Sequence, residues 1–68
     1  MDMNYKMYAL ALNQKWSATF TVIGFLREGS QGEIHMTVNN EQTYIFRGDD
    51  EKEVLQEAKA MLRLICGE

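Results

Sequence analysis

The chain has few side chains that could do covalent or acid–base chemistry, and their spacing is not that of a catalytic site. His35 is the only histidine and Cys66 the only cysteine. His35 alternates with Ile34 and Met36, which predicts that it points away from the apolar face. The sequence places no nucleophile or orienting acid beside it. Cys66 falls near the negative end of a predicted helix, where a thiolate is disfavoured. We therefore predict no catalytic residue and no enzymatic activity.

The acidic run at residues 49–51, followed by Glu53, is the other candidate for chemistry. Carboxylates at the start of a helix cap its free N–H groups and suit its dipole, which explains the run without a metal. One cysteine and one histidine cannot supply the four ligands of a zinc site. Gly29 and Gly32 lie between two predicted strands and match no phosphate-binding loop. We expect no metal and no cofactor.

The composition is typical of a small globular domain, because 46% of the 68 residues are hydrophobic and 25% are charged. The apolar stretches are much shorter than the roughly 20 residues that span a bilayer. The N-terminus shows no signal-peptide pattern. Together with the unpaired cysteine, these features predict a cytoplasmic protein without a membrane contact.

The net charge of −3 is unevenly distributed along the chain. Residues 1–48 have four basic and four acidic side chains, whereas residues 49–68 have six acidic and three basic ones. Non-specific nucleic-acid binding normally needs a basic surface. The charge balance therefore favours contact with protein over contact with nucleic acid.

Residue alternation and turn residues predict a single α+β domain over residues 1–68. We expect a small antiparallel sheet of three to four strands in a meander-like ββββα order, packed against one C-terminal helix. The strands are predicted at about 5–12, 16–26, 33–39 and 43–47, and the helix at about 50–66. Gly24 interrupts the second strand, so Phe25 and Leu26 are expected to be re-aimed relative to the residues before them.

The helix is predicted from its ends and from its apolar spacing. Asp49 or Asp50 can cap its N-terminus, and Gly67 is a suitable terminator. The apolar residues recur at helical spacing and would pack on one sheet face. This stripe consists of Val54, Leu55, Ala58, Met61, Leu62 and Ile65.

The exterior of the helix supplies the candidates for partner binding. Basic and amide side chains follow one line along it, and an apolar residue lies outside the core stripe, where a partner could bury it. These candidates are Lys52, Gln56, Lys59, Arg63 and Leu64.

The register of the last hairpin decides whether two aromatic side chains are exposed. A two-residue loop would pair Val38 with Thr43 and would place Tyr44 and Phe46 on the face opposite the helix. A three-residue loop would set Val38 against Tyr44 and Met36 against Phe46, so that both aromatics enter the core. We favour the second register, because two aromatic residues are better buried under a helix in so small a domain.

The first register would create a surface for a different function. An exposed aromatic platform could stack the bases of a single-stranded nucleic acid or become buried in a dimer. The residues of this alternative nucleic-acid face are Lys15, Trp16, Tyr44, Phe46 and Arg47.

Residues 48–59 resemble the strand-to-helix junction of HicB-type antitoxins, which are small β-sheet domains with a following helix. The matching stretch is Gly-Asp-Asp-Glu-Lys-Glu-Val-Leu-Gln-Glu-Ala-Lys. The Pro-Asp-Leu-Pro-Gly turn of that family is missing, because the chain contains no proline. The resemblance implies a sheet followed by a helix, and we assign the chain to no family on this basis.

The sequence thus favours a small interaction module without enzymatic activity, which binds an unknown protein partner or a second copy of itself. A regulator or inhibitor would fit this description. The alternative is a single-stranded nucleic-acid-binding domain. Exposure of Tyr44 and Phe46 distinguishes the two, because base stacking needs both rings at the surface.

Overall fold

The computed structural model describes residues 5–11 and 14–67, without the side chains of Tyr5 and Tyr8. Four strands precede one helix, and their bounds are β1 Tyr5–Ala11, β2 Ser17–Gly24, β3 Gly32–Val38, β4 Gln42–Gly48 and α1 Glu51–Cys66. This order confirms the predicted α+β fold. Leu12, which the predicted first strand included, lies outside the described residues.

The four strands form one antiparallel meander in the order β1-β2-β3-β4. Because strand side chains alternate between the two faces, the register gives the sheet one buried face and one open face. The buried face contributes residues from β2 and β3, and the helix contributes one residue from each of three successive turns. This core consists of Ala18, Phe20, Val22, Ile34, Met36, Val38, Val54, Ala58 and Leu62.

The helix has the caps that its sequence predicts. Asp50 is the N-cap, with an extended backbone, and its Oδ1 accepts a hydrogen bond of 3.0 Å from the backbone N–H of Lys52. Gly67 ends the helix in the left-handed conformation, at φ 79°. A residue with a Cβ is disfavoured in this conformation, so the position suits glycine. Helix α1 lies closest to β3 and β4.

β2 ends two residues earlier than predicted, and the cause is its backbone at Gly24 and Phe25. Both residues have positive φ, 91° and 53°. Regular alternation would place Phe25 on the open face, but the left-handed turn directs its ring against the core cluster instead. The predicted change of side-chain direction is therefore confirmed for Phe25. Leu26 does not join the core and is 66% exposed.

The β3–β4 hairpin places Tyr44 and Phe46 on the helix side, as the favoured register predicted. The residue pairs differ, because Met36 opposes Tyr44 and Ile34 opposes Phe46. The pairing is shifted by two residues from the predicted one. A shift of two preserves the face on which every side chain lies, so the prediction of the face is correct and that of the partners is wrong.

Asn39 connects the β3–β4 turn to the start of β2. Its Oδ1 accepts a 2.9 Å hydrogen bond from the backbone N–H of Ser17, and its Nδ2 donates a 3.1 Å bond to the carbonyl of Lys15. Asn39 adopts φ 52°, a conformation that asparagine tolerates better than most residues. The third strand therefore ends at Val38, one residue earlier than predicted.

Candidate interaction surface

The sheet face opposite α1 is covered by no part of the chain that the structure describes. We call it the open face. Its members follow from the alternation and register of the four strands, with Met7, Thr21, His35 and Ile45 forming its central row. The other described side chains of the open face are Ala9, Ala11, Ser17, Thr19, Ile23, Glu33, Thr37, Thr43 and Arg47.

The open face exposes apolar surface at both of its edges. Met7 on β1 is 58% exposed and Ile45 on β4 is 53% exposed. Thr21 and His35 lie between them, and the next row of the face contains three more threonines. Threonine methyl groups add apolar area, and their branching suits a strand. Thr37 and Thr43 face each other across the hairpin with their hydroxyl oxygens 3.0 Å apart. Apart from its charged cluster, the face therefore presents aliphatic and hydroxyl groups on a regular sheet.

The charges on the open face neutralise one another. One oxygen of Glu33 accepts a 2.9 Å hydrogen bond from Arg47 Nε on the neighbouring strand, and the other lies 2.8 Å from His35 Nε2. Because a carboxylate can only accept, Nε2 is the protonated nitrogen of His35. The hydrogen bond from His35, followed by that from Arg47, lowers the pKa of Glu33 below its ordinary value.

Titration of Glu33 tests this network. The folded-state pKa of Glu33 lies below the ordinary value of 4.5. Its contribution to stability is therefore fully present above about pH 4.5 and is lost as the pH falls through the lower folded-state pKa. We expect an NMR titration of the Glu33 carboxyl carbon to give a midpoint below 4.5. A midpoint at or above that value would contradict the network.

Two variants separate the two donors. His35→Ala removes the larger cause of the lowered pKa, and Arg47→Ala removes the second one. We expect the midpoint of Glu33 to rise in both variants, and to rise more in His35→Ala. The reverse order would mean that Arg47 is the dominant donor.

The candidates for catalysis are not brought together. His35 has Thr21 and Ile45 as its neighbours across the sheet. Cys66 is half-buried at the end of α1 and lines a shallow depression with Trp16. His35 and Cys66 thus lie on opposite sides of the sheet. Within residues 5–11 and 14–67, no group of three or more His, Cys, Asp or Glu residues could hold a metal ion.

The acidic run has the structural role that its position indicates. Asp50 caps α1, and Glu51 Oε2 forms an ion pair of 2.8 Å with Lys6 Nζ of β1. An open depression lies between this run and the turn at Arg27. Its lining mixes acidic and basic side chains.

The predicted nucleic-acid face is not assembled as one surface. Tyr44 and Phe46 lie on the helix side, packed against the core, whereas Arg47 lies on the open face. Trp16 also packs against the core, and Lys15 is exposed beside it. The physical reason is strand alternation, because Tyr44 and Phe46 are at even positions of β4 and Arg47 is at an odd one, so they point to opposite faces. Tyr44 and Phe46 therefore do not form the exposed aromatic platform that the nucleic-acid alternative requires.

The predicted partner-binding residues on the helix exterior are all exposed. Leu64 is 74% exposed, and the others of this set are Lys52, Gln56, Lys59 and Arg63. They form a charged surface with one apolar side chain. Sequence reasoning did not identify the open face as a candidate, although the alternating threonines of β2 were the available signal.

No protein-family model matches the chain, and no curated protein or solved structure matches it with significance. Among the residues that the structure describes, no helix is both long enough and apolar enough to cross a membrane.

Proposed function

We propose that this chain is a non-enzymatic protein-binding module whose contact surface is the open face. The observation that supports this proposal is a sheet face that no described residue covers, with exposed apolar side chains at both edges. Bound to a partner, such a module would act as a regulator or an inhibitor by occupying the partner's surface.

The chemistry of the open face favours a protein partner. Its charged side chains are already paired, since Glu33 holds both Arg47 and His35. An isolated charge is costly to bury. Because these charges are paired, a partner that covers them would bury no isolated charge. The centre of a protein interface is typically poor in unpaired charge and rich in apolar contacts. The open face has this composition.

Single-stranded nucleic acid is the weaker alternative. Base stacking needs aromatic side chains beside basic ones. Among the described side chains of the open face there is no Phe, Tyr or Trp, and Arg47 is engaged by Glu33. The aromatic residues Tyr44 and Phe46 pack on the other side of the sheet.

The helix exterior is the competing protein-binding surface. Leu64 is its exposed apolar side chain, at 74%. The other candidates on this exterior, Lys52, Gln56, Lys59 and Arg63, have long side chains, which lose entropy when an interface orders them. The open face presents shorter and stiffer side chains on paired strands. It therefore offers a lower entropic cost of binding.

A pair of matched variants tests the proposal. Ile45→Lys and Leu64→Lys each replace an exposed aliphatic side chain with lysine, one on the open face and one on the helix exterior. Tagged wild type and both variants are used to capture proteins from the native host lysate, with and without nuclease. We expect a protein retained by wild type and by Leu64→Lys, in both nuclease conditions, and lost with Ile45→Lys.

The other outcomes have defined meanings. Loss only with Leu64→Lys would move the binding surface to the helix exterior. Nuclease-sensitive recovery would favour the nucleic-acid alternative. Circular dichroism of both variants shows whether the fold is kept, which is expected because substitutions at exposed positions usually change stability by about 0.5 kcal/mol or less.

A further inference from the structure

We propose that two copies of this chain pair through their β1 edges and form one continuous eight-stranded antiparallel sheet. The inference deepens the proposed function and rests on it in one respect, namely that the joined open faces would be the contact surface. The partner at the edge is a second copy of the chain. The pairing would be made by main-chain hydrogen bonds between the two β1 strands.

The edge at β1 is regular and contains neither a proline nor a bulge. β1 is the last strand on its side of the sheet that residues 5–11 and 14–67 form. All seven of its residues pair in continuous register with β2, without a bulge. Natural sheets block such edges with proline, bulges or outward charges. β1 contains no proline, so each of its residues has the N–H donor and C=O acceptor that pairing with another strand requires.

The one charged residue of β1 does not protect the edge in the usual way. Lys6 lies on the helix side of the strand, where its Nζ is 2.8 Å from Glu51 Oε2. The ion pair directs the ammonium group toward the start of α1. On the open side, β1 presents Met7, Ala9 and Ala11, which are uncharged. A second β1 strand can therefore approach without opposing an unpaired charge on that side.

The other edge of the sheet is less suited to self-pairing. β4 is preceded by Glu41 and followed by Asp49 and Asp50. Antiparallel pairing of two β4 strands would bring the start of each strand to the end of the other. Acidic residues would then oppose acidic residues, and like charges across strands are destabilising. The charge distribution thus selects β1 over β4.

Pairing at β1 would also join the two open faces. Antiparallel pairing of identical strands is related by a twofold axis perpendicular to the sheet, so both helices lie on one side and both open faces on the other. One open face, four strands wide and about seven residues long, has a footprint of roughly 400 Å² at ordinary strand spacing. A standard interface uses about 800 Å² per partner. The joined face reaches that size.

The test uses the purified chain alone, so it does not depend on any other partner. Ala9 and Thr43 lie in the same row of the open face, on β1 and β4, and both are exposed. Ala9 is next to the middle residue of β1, so with the twofold axis near the middle of the strand Ala9→Lys brings two lysines close together. Thr43→Lys is the matched change at the other edge. Sedimentation velocity is measured from low micromolar to near millimolar concentration.

We expect wild type and Thr43→Lys to form dimers, and the dimer dissociation constant of Ala9→Lys to be at least roughly tenfold higher, because the opposed charges are alike. Mixing Ala9→Lys with Ala9→Glu should restore a dimer, which shows that the two copies of residue 9 are close. Circular dichroism confirms that each variant is folded.

Four results would overturn the inference. A wild type that is monomeric at every concentration excludes the dimer and leaves the proposed binding module standing. Loss of the dimer in both lysine variants means that the open faces pack on each other. Loss only in Thr43→Lys assigns the pairing to β4, and no loss in either variant places the interface elsewhere.

Discussion

Phe20→Ala is expected to remove most of the folding stability of the protein. Phe20 is fully buried at the centre of β2, between Tyr8 of β1 and Met36 of β3 in the register. Truncation of a buried phenylalanine to alanine typically costs about 3 to 5 kcal/mol, because the lost transfer free energy is added to the cost of a cavity. Small domains often have a total stability of about 5 kcal/mol. The expected loss is thus close to the total free energy of unfolding.

The measurement is urea denaturation followed by far-ultraviolet circular dichroism. Thr19→Ala is the matched control, because Thr19 is the neighbour of Phe20 on the same strand and lies on the open face. We expect Thr19→Ala to cost about 0.5 kcal/mol, as is usual at the surface. Equal losses in the two variants would mean that the helix-side face is not the core.

Gly32→Ala is expected to destabilise the fold by about 2 to 3 kcal/mol, the upper range for steric overpacking. A Cβ at Gly32 would collide with the ring of Phe25 and would lie 2.7 Å from the carbonyl oxygen of Ile23. The ring could move, but the carbonyl belongs to the neighbouring strand. The collision therefore forces β2 and β3 apart at this end of the hairpin.

Two comparison variants identify the cause of this loss. Phe25→Ala removes the clash with the ring but keeps the one with Ile23. Gly32→Ala should therefore cost less in the Phe25→Ala background than in the wild type, but it should still be destabilising. Gly29→Ala meets no atom within 4 Å and has φ +82°. Its cost of about 1 kcal/mol comes from the backbone conformation alone. Denaturation midpoints that rank Gly29→Ala as the more destabilising change would contradict the steric explanation.

The helix illustrates what local sequence signals can predict. Its cap at Asp50, its terminator at Gly67 and its buried stripe all depend on residues within a few positions of one another. Hydrogen bonds at helix ends and the period of 3.6 residues are local properties. The order of the four strands and the helix along the chain was also predictable from alternation and turn residues, whereas the sequence left the order of the strands within the sheet open.

The ends of the strands were less predictable. The predicted second strand continued to Leu26, whereas the backbone turns at Gly24 and Phe25. A phenylalanine with positive φ is uncommon, and nothing in the local pattern indicates it. The ring is held by packing against the core and over Gly32, contacts that form only after the hairpin has closed.

The sequence by itself determined the element order, the caps and the buried stripe of α1, since these depend on neighbours along the chain. Only the tertiary structure decided that Arg47 and His35 lie on the open face of the sheet. It also decided that Lys6 forms an ion pair with Glu51. It also decided that Tyr44 and Phe46 lie beneath the helix. These features depend on strand register and on contacts distant in sequence, and a shift of one residue would have reversed every face.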